Sequence, residues 1–160
     1  MATLDRMDDG YLPLTVTSPP YNVDLGNNKH NQDKSYDAHD DNLTHESYME
    51  SMKDIFTKIH QKTESGGRCI INIGDGKNGR IPTHSDYIQM MSEIGWIPMA
   101  NIVWNKRNVS GRTAWGSFGS PSAPSLPPPF EYIMVFAKDR YKLQQPENKA
   151  ELIDITREEF

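Results

Sequence analysis

The sequence predicts an α/β chain carrying part of a doubly wound, mostly parallel sheet, and three observations predict it. Short β-branched runs alternate with segments of helical period, the first strand halts at two consecutive prolines, and a late strand is apolar almost without interruption. Leu12 to Thr17 reads as a short buried strand, because Leu12, Leu14 and Val16 alternate and Thr15, Val16 and Thr17 favour extended backbone. Pro19 and Pro20 have no N–H to donate, so the chain leaves the sheet at Ser18. The polar stretch from Asn22 to Asn42 has no periodicity and is expected to be a mobile loop.

Thr44 is placed to cap a helix whose Tyr48, Met52, Ile55 and Ile59 form one stripe, with Gly66-Gly67 stopping it. Arg68 to Ile73 is the next expected strand. Ile81 to Glu93 holds a second helix with Tyr87, Met91 and Ile94 inward, closed by Gly95. Trp96 to Trp104 is a strand, Asn105 to Pro129 a Gly/Ser/Pro-rich excursion, and Glu131 to Lys138 a strand covered on both faces. This order implies a parallel core into which the last strand can insert antiparallel, with the site at the strands' carboxyl ends, where Ser18 and Pro19 close the first strand and Asn72 to Asp75 the second. Thr156 to Glu159 has the form of a capping box, with Phe160 the first apolar residue after it, so a helix is announced and then cut off; a frayed tail is the alternative.

A chain of 160 residues fits one soluble domain, but 36% apolar residues and a mean hydropathy of -0.72 leave a small core under long polar loops. A fragment of a larger domain has this composition. No run reaches the roughly 18 apolar residues of a membrane helix, and the N-terminus has no basic-then-apolar leader. Neither membrane insertion nor export is expected, and the expected compartment is the cytoplasm. Cys69, the single cysteine, stands beside Ile70 and Ile71 and reads as a buried thiol, neither disulfide nor zinc ligand. Net charge -5 excludes a uniformly basic nucleic-acid coat while permitting local basic loops. Asp33, Asp37, His39, Asp40 and Asp41 lie in a polar loop without ligand spacing, so no metal is expected. His45, His60 and His84 read as surface or capping residues, and Glu131, opening a buried strand, should be paired to a nearby loop.

The most informative segment is Thr17-Ser18-Pro19-Pro20-Tyr21-Asn22, directly after a hydrophobic strand. It resembles motif IV of the amino methyltransferases of DNA. The resemblance extends to Gly66 to Ile73, Trp96 to Lys106, the loop Arg112 to Phe118 with Ser120 to Pro124, and Phe130 to Lys138, in the family's order over about residues 12 to 138. Phe130 stands where many members have His. The resemblance implies a Rossmann-like fold, S-adenosylmethionine as methyl donor, double-stranded DNA as substrate and a base flipped out of the duplex. An exocyclic amine has its lone pair delocalised into the ring and must become tetrahedral before attacking a methyl carbon. Fixed acceptors encourage that change, and those implied here are Ser18 Oγ and the Pro19 carbonyl, with Pro20 stiffening the turn and Tyr21 stacking on the base. Cytosine-N4 is favoured over adenine-N6, because Ser rather than Asp precedes the prolines.

Asn22, Lys106, Arg107, Arg112, Trp115 and Phe118 are the candidate DNA contacts, a mixture of cations and aromatics suited to phosphates and unstacked bases. The catalytic motif comes first, as in the family's beta group, in which a Phe-x-Gly-x-Gly cofactor loop follows later; this sequence has none. Gly74 to Gly79 is glycine-rich but follows the wrong strand, and reads as a turn. The expected organisation is therefore a catalytic half over residues 1–138 and the start of a linker or target-recognition region over 139–160. No cofactor-binding residue is assigned, and the missing C-terminal half and a cognate restriction endonuclease are expected partners in a prokaryotic or phage setting. The alternatives are a noncatalytic DNA-binding remnant and, more remotely, a methylase of protein side-chain amides.

Overall fold

The computed structural model describes residues 3–22, 43–107 and 129–142. A single turn of 3-10 helix at Leu4–Arg6 precedes strand β1, Leu12–Thr17. Then come helix α1 at His45–Lys62, strand β2 at Thr63–Ile73, a helical turn α2 at Gly76–Gly79, helix α3 at Thr83–Ile94, and strands β3 at Trp96–Asn105 and β4 at Phe130–Lys138. The strands form one sheet in the order β1-β2-β4-β3. β1 runs parallel to β2, while β4 is antiparallel to both β2 and β3, so it alone runs against the other three. The last strand thus inserts as expected.

Thr44 caps α1, its Oγ1 accepting from the Ser47 backbone N–H at 3.2 Å. The inward stripe is Tyr48, Met52, Phe56 and Ile59; Phe56 lies fully inside and Ile55 packs at the rim. The expected stop at Gly66-Gly67 is wrong. α1 ends at Lys62, the Thr63 hydroxyl donates to the Ile59 carbonyl at 2.7 Å, and Lys138 Nζ donates to the carbonyls of His60 and Thr63. These bonds satisfy the helix end, so the chain passes directly into β2 and the glycines lie within the strand. Gly95 ends α3 at φ 111°, with its N–H bonded to the carbonyls of Met91 and Ser92.

α1 and α3 cover one face of the sheet. Tyr48, Met52, Phe56, Ile59, Tyr87 and Met91 meet Cys69, Ile71, Ile73, Met134 and Phe136 in a single core. Cys69 is fully buried there, and burial pushes its thiol up to about 12. The opposite face carries Leu14, Val16, Ile70, Asn72, Glu131, Ile133, Ala100, Ile102 and Trp104 by strand parity, and Leu14, Val16, Ile102 and Trp104 are exposed. β1 pairs with β2 along one edge and has no strand on its other edge among the described residues. No described helix is long and apolar enough to cross a membrane. The expected capping box at Thr156 to Glu159 lies outside the described residues.

Candidate active site

At the carboxyl end of β1 the chain turns through Ser18, which is exposed, and Pro19, which is buried. Ser18 Oγ donates to the Tyr21 hydroxyl at 3.2 Å, and that hydroxyl donates to Glu131 Oε2 at 3.1 Å. Asn72 Nδ2 donates both to the Tyr21 hydroxyl and to Glu131 Oε2, each at 2.8 Å. Lys106 Nζ closes the cluster on Glu131 Oε1 at 2.6 Å. Ends of four strands therefore converge on one carboxylate. Burial pushes the Glu131 carboxyl up, but hydrogen bonds from Lys106, Asn72 and Tyr21 and the Lys106 charge outweigh it and hold it below the ordinary range.

The turn is also held from the helix side. Tyr48 and Tyr87 are fully buried, and the Tyr48 hydroxyl donates to the Pro20 carbonyl at 2.7 Å while lying 2.7 Å from the Tyr87 hydroxyl. With the Tyr48 proton given to Pro20, Tyr87 is the donor in that second bond. Burial, then the Tyr48 hydroxyl, raise the Tyr87 phenol far above its ordinary range. Asn22 adopts φ 51° and spends its side-chain amide on Leu43, donating to its carbonyl at 2.8 Å and accepting from its N–H at 3.0 Å. It thereby joins the two ends of the segment 23–42.

The sequence-predicted residues divide accordingly. Ser18, Pro19, Pro20 and Tyr21 form the turn, and Tyr21, expected to stack on a base, is anchored by its hydroxyl. A Cβ placed on Gly74 would touch the Tyr21 ring at 3.4 Å, so the ring packs over that glycine. Lys106, expected at phosphate, is paired with Glu131, and Arg107 is exposed at φ 52°, its N–H donating to Asn105 Oδ1 at 2.9 Å. Arg112, Trp115 and Phe118 lie outside the described residues. Sequence reasoning places Asn72 at the carboxyl end of its strand, where the site is expected, but gives it no role, and it misses Tyr48 and Tyr87, which stand at core positions of their helices. The expected pairing of Glu131 to a nearby loop is what Lys106 provides. His84 Nδ1 lies 2.7 Å from Asp75 and its ring stacks on Tyr132 with centroids 3.7 Å apart, while His45 pairs with Asp86 at 2.7 Å. His60 packs edge-on against Trp96, and burial lowers its imidazole below the ordinary range. Gly74 to Gly79, expected to be a turn, contains the short α2.

An open groove of about 350 Å³ lies between α1 and α3, lined by Glu46, Glu50, Asp86 and Glu93 together with His45 and Lys53. It is built by helix residues away from Ser18. Among the described residues no group of His, Cys, Asp and Glu has the arrangement to hold a metal ion.

Residues 12–158 match the DNA methylase family. The Type II methyltransferase M.MjaVI of Methanocaldococcus jannaschii is 38% identical over 152 residues, covering 93% of this chain and 71% of that protein. TTHA0409 of Thermus thermophilus, described as a DNA modification methylase and solved in complex with S-adenosyl-L-methionine, superposes with a TM-score of 0.57 at 20% identity, covering 91% of this chain and 55% of that one. The cytosine-N4-specific PvuII DNA methyltransferase superposes with a TM-score of 0.53 at 16% identity, covering 84% and 45%. What these two structures share with the chain is the Rossmann-like α/β fold, and the chain spans about half of their length.

Proposed function

This chain belongs to the DNA methylase family, and from that premise we propose that it is the catalytic half of an enzyme methylating the exocyclic amine of a base in DNA, cytosine-N4 ahead of adenine-N6. The observation that carries the reading is the Ser18-Pro19-Pro20-Tyr21 turn. It stands at a sheet's carboxyl edge with Ser18 exposed, clamped by Tyr48 on one side and by Asn72 and Glu131 on the other. S-adenosylmethionine supplies the methyl group in this chemistry, and no described residue is assigned to hold it.

Ser18 Oγ and the Pro19 carbonyl accept from the amine and favour its tetrahedral form. The Pro20 carbonyl is instead engaged on the helix side, where it accepts from Tyr48. The Tyr21 ring offers a flat surface to a flipped base, and the exposed Arg107 sets positive charge at the rim for phosphate, while Lys106 is engaged by Glu131. The organisation into a catalytic half over 1–138 and a linker or recognition region from 139 remains our reading. Among the described residues the outer edge of β1 carries no strand, which supports it as the place where further strands carrying the cofactor site would pair. The fitting setting is prokaryotic or phage cytoplasm, with duplex DNA, that second half and a restriction endonuclease as partners.

The test is transfer of labelled methyl from S-adenosylmethionine to duplex DNA, by this chain alone and in the intact protein its gene encodes, followed by base analysis. N4-methylcytosine from the intact protein alone supports every part of the reading. Only N6-methyladenine overturns the choice of base, activity of the 160-residue chain overturns the division into halves, and salt-dependent DNA binding with no transfer in either form establishes the noncatalytic alternative.

A further inference from the structure

We propose that Glu131 and Asn72 are positioning residues that fix the direction of the Ser18 hydroxyl, so that this neutral side chain meets the substrate amine only as an acceptor. The proposal rests on the methyltransferase reading and adds to it the origin of the negative potential at Ser18. A serine hydroxyl is ambiguous, since it both donates and accepts and its proton rotates to suit its neighbours. In a site that must draw hydrogens from an amine, an outward-pointing hydroxyl proton defeats the purpose. The cluster removes that ambiguity.

The direction follows from the ends of the chain of hydrogen bonds. Glu131 is an ionised carboxylate held by Lys106 at 2.6 Å, so it only accepts, and the Tyr21 proton must point to Oε2. The Asn72 amide faces the same carboxylate with Nδ2, which only donates, and its second bond occupies one lone pair of the Tyr21 oxygen. The remaining lone pair faces Ser18, and the Ser18 proton is drawn inward along the 3.2 Å bond. Oγ is thereby left to show its lone pairs to solvent and substrate. Asn72 Oδ1 is meanwhile buried without a hydrogen-bond partner among the described residues, a cost incurred by keeping Nδ2 on Tyr21 and Glu131. Hydrogen bonds aligned toward a charge polarise one another, so the Glu131 charge reaches Oγ through Tyr21 without any proton leaving its atom.

Glu131→Gln presents an amide N–H to the Tyr21 oxygen and reverses the chain, turning the Ser18 proton outward. Tyr21→Phe breaks the chain and keeps the ring that stacks on the base. In the intact enzyme each variant should lower kcat at least about tenfold while the KM for DNA moves less than about twofold, and the double variant should fall no further than the worse single. A purely structural contact would move stability and leave that split absent. The second readout needs no activity: the side-chain amide resonances of Asn72 in the ¹⁵N-labelled protein should shift in both single variants. If they ignore both substitutions, the chain of bonds does not exist in solution and the proposal falls, whatever the enzyme does. If they respond but kcat is unchanged or the two losses add, the bonds exist and do not orient Ser18, which also overturns it. If they respond and the unsubstituted enzyme methylates no DNA, the functional reading is what has failed, and the proposal falls with it.

Discussion

Replacing Tyr48 by Phe should cost this protein more than any other loss of one oxygen atom in its core. The ring volume is kept, so no cavity opens and the whole effect comes from hydrogen bonding. The missing hydroxyl leaves the Pro20 carbonyl without its 2.7 Å donor and the fully buried Tyr87 hydroxyl without its 2.7 Å acceptor. A stranded buried polar group costs about 1–3 kcal/mol, so two of them, one at the partly wetted turn, amount to about 2–4 kcal/mol. At this chain length that is a fall in Tm of about 4–16 °C. Tyr87→Phe removes one bond and leaves the Tyr48–Pro20 strut standing, so its cost should be about half. Urea unfolding followed by circular dichroism and by tryptophan fluorescence, with coincident transitions, measures both. If Tyr48→Phe is no more destabilising than Tyr87→Phe, or both stay within about 0.5 kcal/mol of the unsubstituted protein, the strut from the helix layer to the turn is not formed as described.

Other consequences are as direct. Because the folded Glu131 carboxyl is held below its ordinary 4.5, its contribution to stability is present above that value and is lost as pH falls through the lower folded value. The stability gap between the unsubstituted protein and Glu131→Gln should therefore be full at about pH 6 and close on acidification below about pH 4; a gap that widens there reverses the sign. Cys69, buried with its thiol pushed up to about 12, should react with a thiol reagent at about pH 8 only as fast as the protein opens, and labelling faster than unfolding would place it elsewhere. Gly95→Ala should destabilise by about 1 kcal/mol, since the position sits at φ 111°. The nearest atom to the added Cβ, His60 Nε2 at 3.7 Å, leaves room for a methyl group, so the cost is conformational, and unchanged stability would contradict the left-handed cap.

The two long helices, the four strands and the proline exit were legible because each is written in local chemistry: a stripe of apolar side chains, a capping Thr44, a closing Gly95. The boundary between α1 and β2 was not, because Gly66-Gly67 signals a break. The actual end at Lys62 depends on Lys138, 75 residues beyond Thr63. The catalytic turn was legible in Ser18, Pro19, Pro20 and Tyr21, while its supports were not. Tyr48 and Tyr87 occupy ordinary core positions on their helices, and only the packing of α1 against α3 brings their hydroxyls together below Pro20.

The meeting of Asn72 with Glu131 shows most plainly what the sequence withholds. Asn72 faces Ile133 across the β2–β4 ladder, and Glu131 lies two residues away along β4, hence on the same face and just past that pair. Glu131 in turn faces Trp104, which puts Lys106 on that face two residues beyond, while the pairing of Val16 with Ile70 puts Ser18 level with Asn72. All four polar residues share one face of the sheet because four strands keep one register. A slip of β4 by a single residue would carry Glu131 to the helix side and leave Lys106, Asn72 and Tyr21 without their common acceptor. No local pattern holds this information, since β4 is apolar on both sides of Glu131. The antiparallel insertion of β4 between β2 and β3 is thus the step that turns a proline exit into a site. It delivers a carboxylate to the edge where β1 ends, at the distance Tyr21 can span.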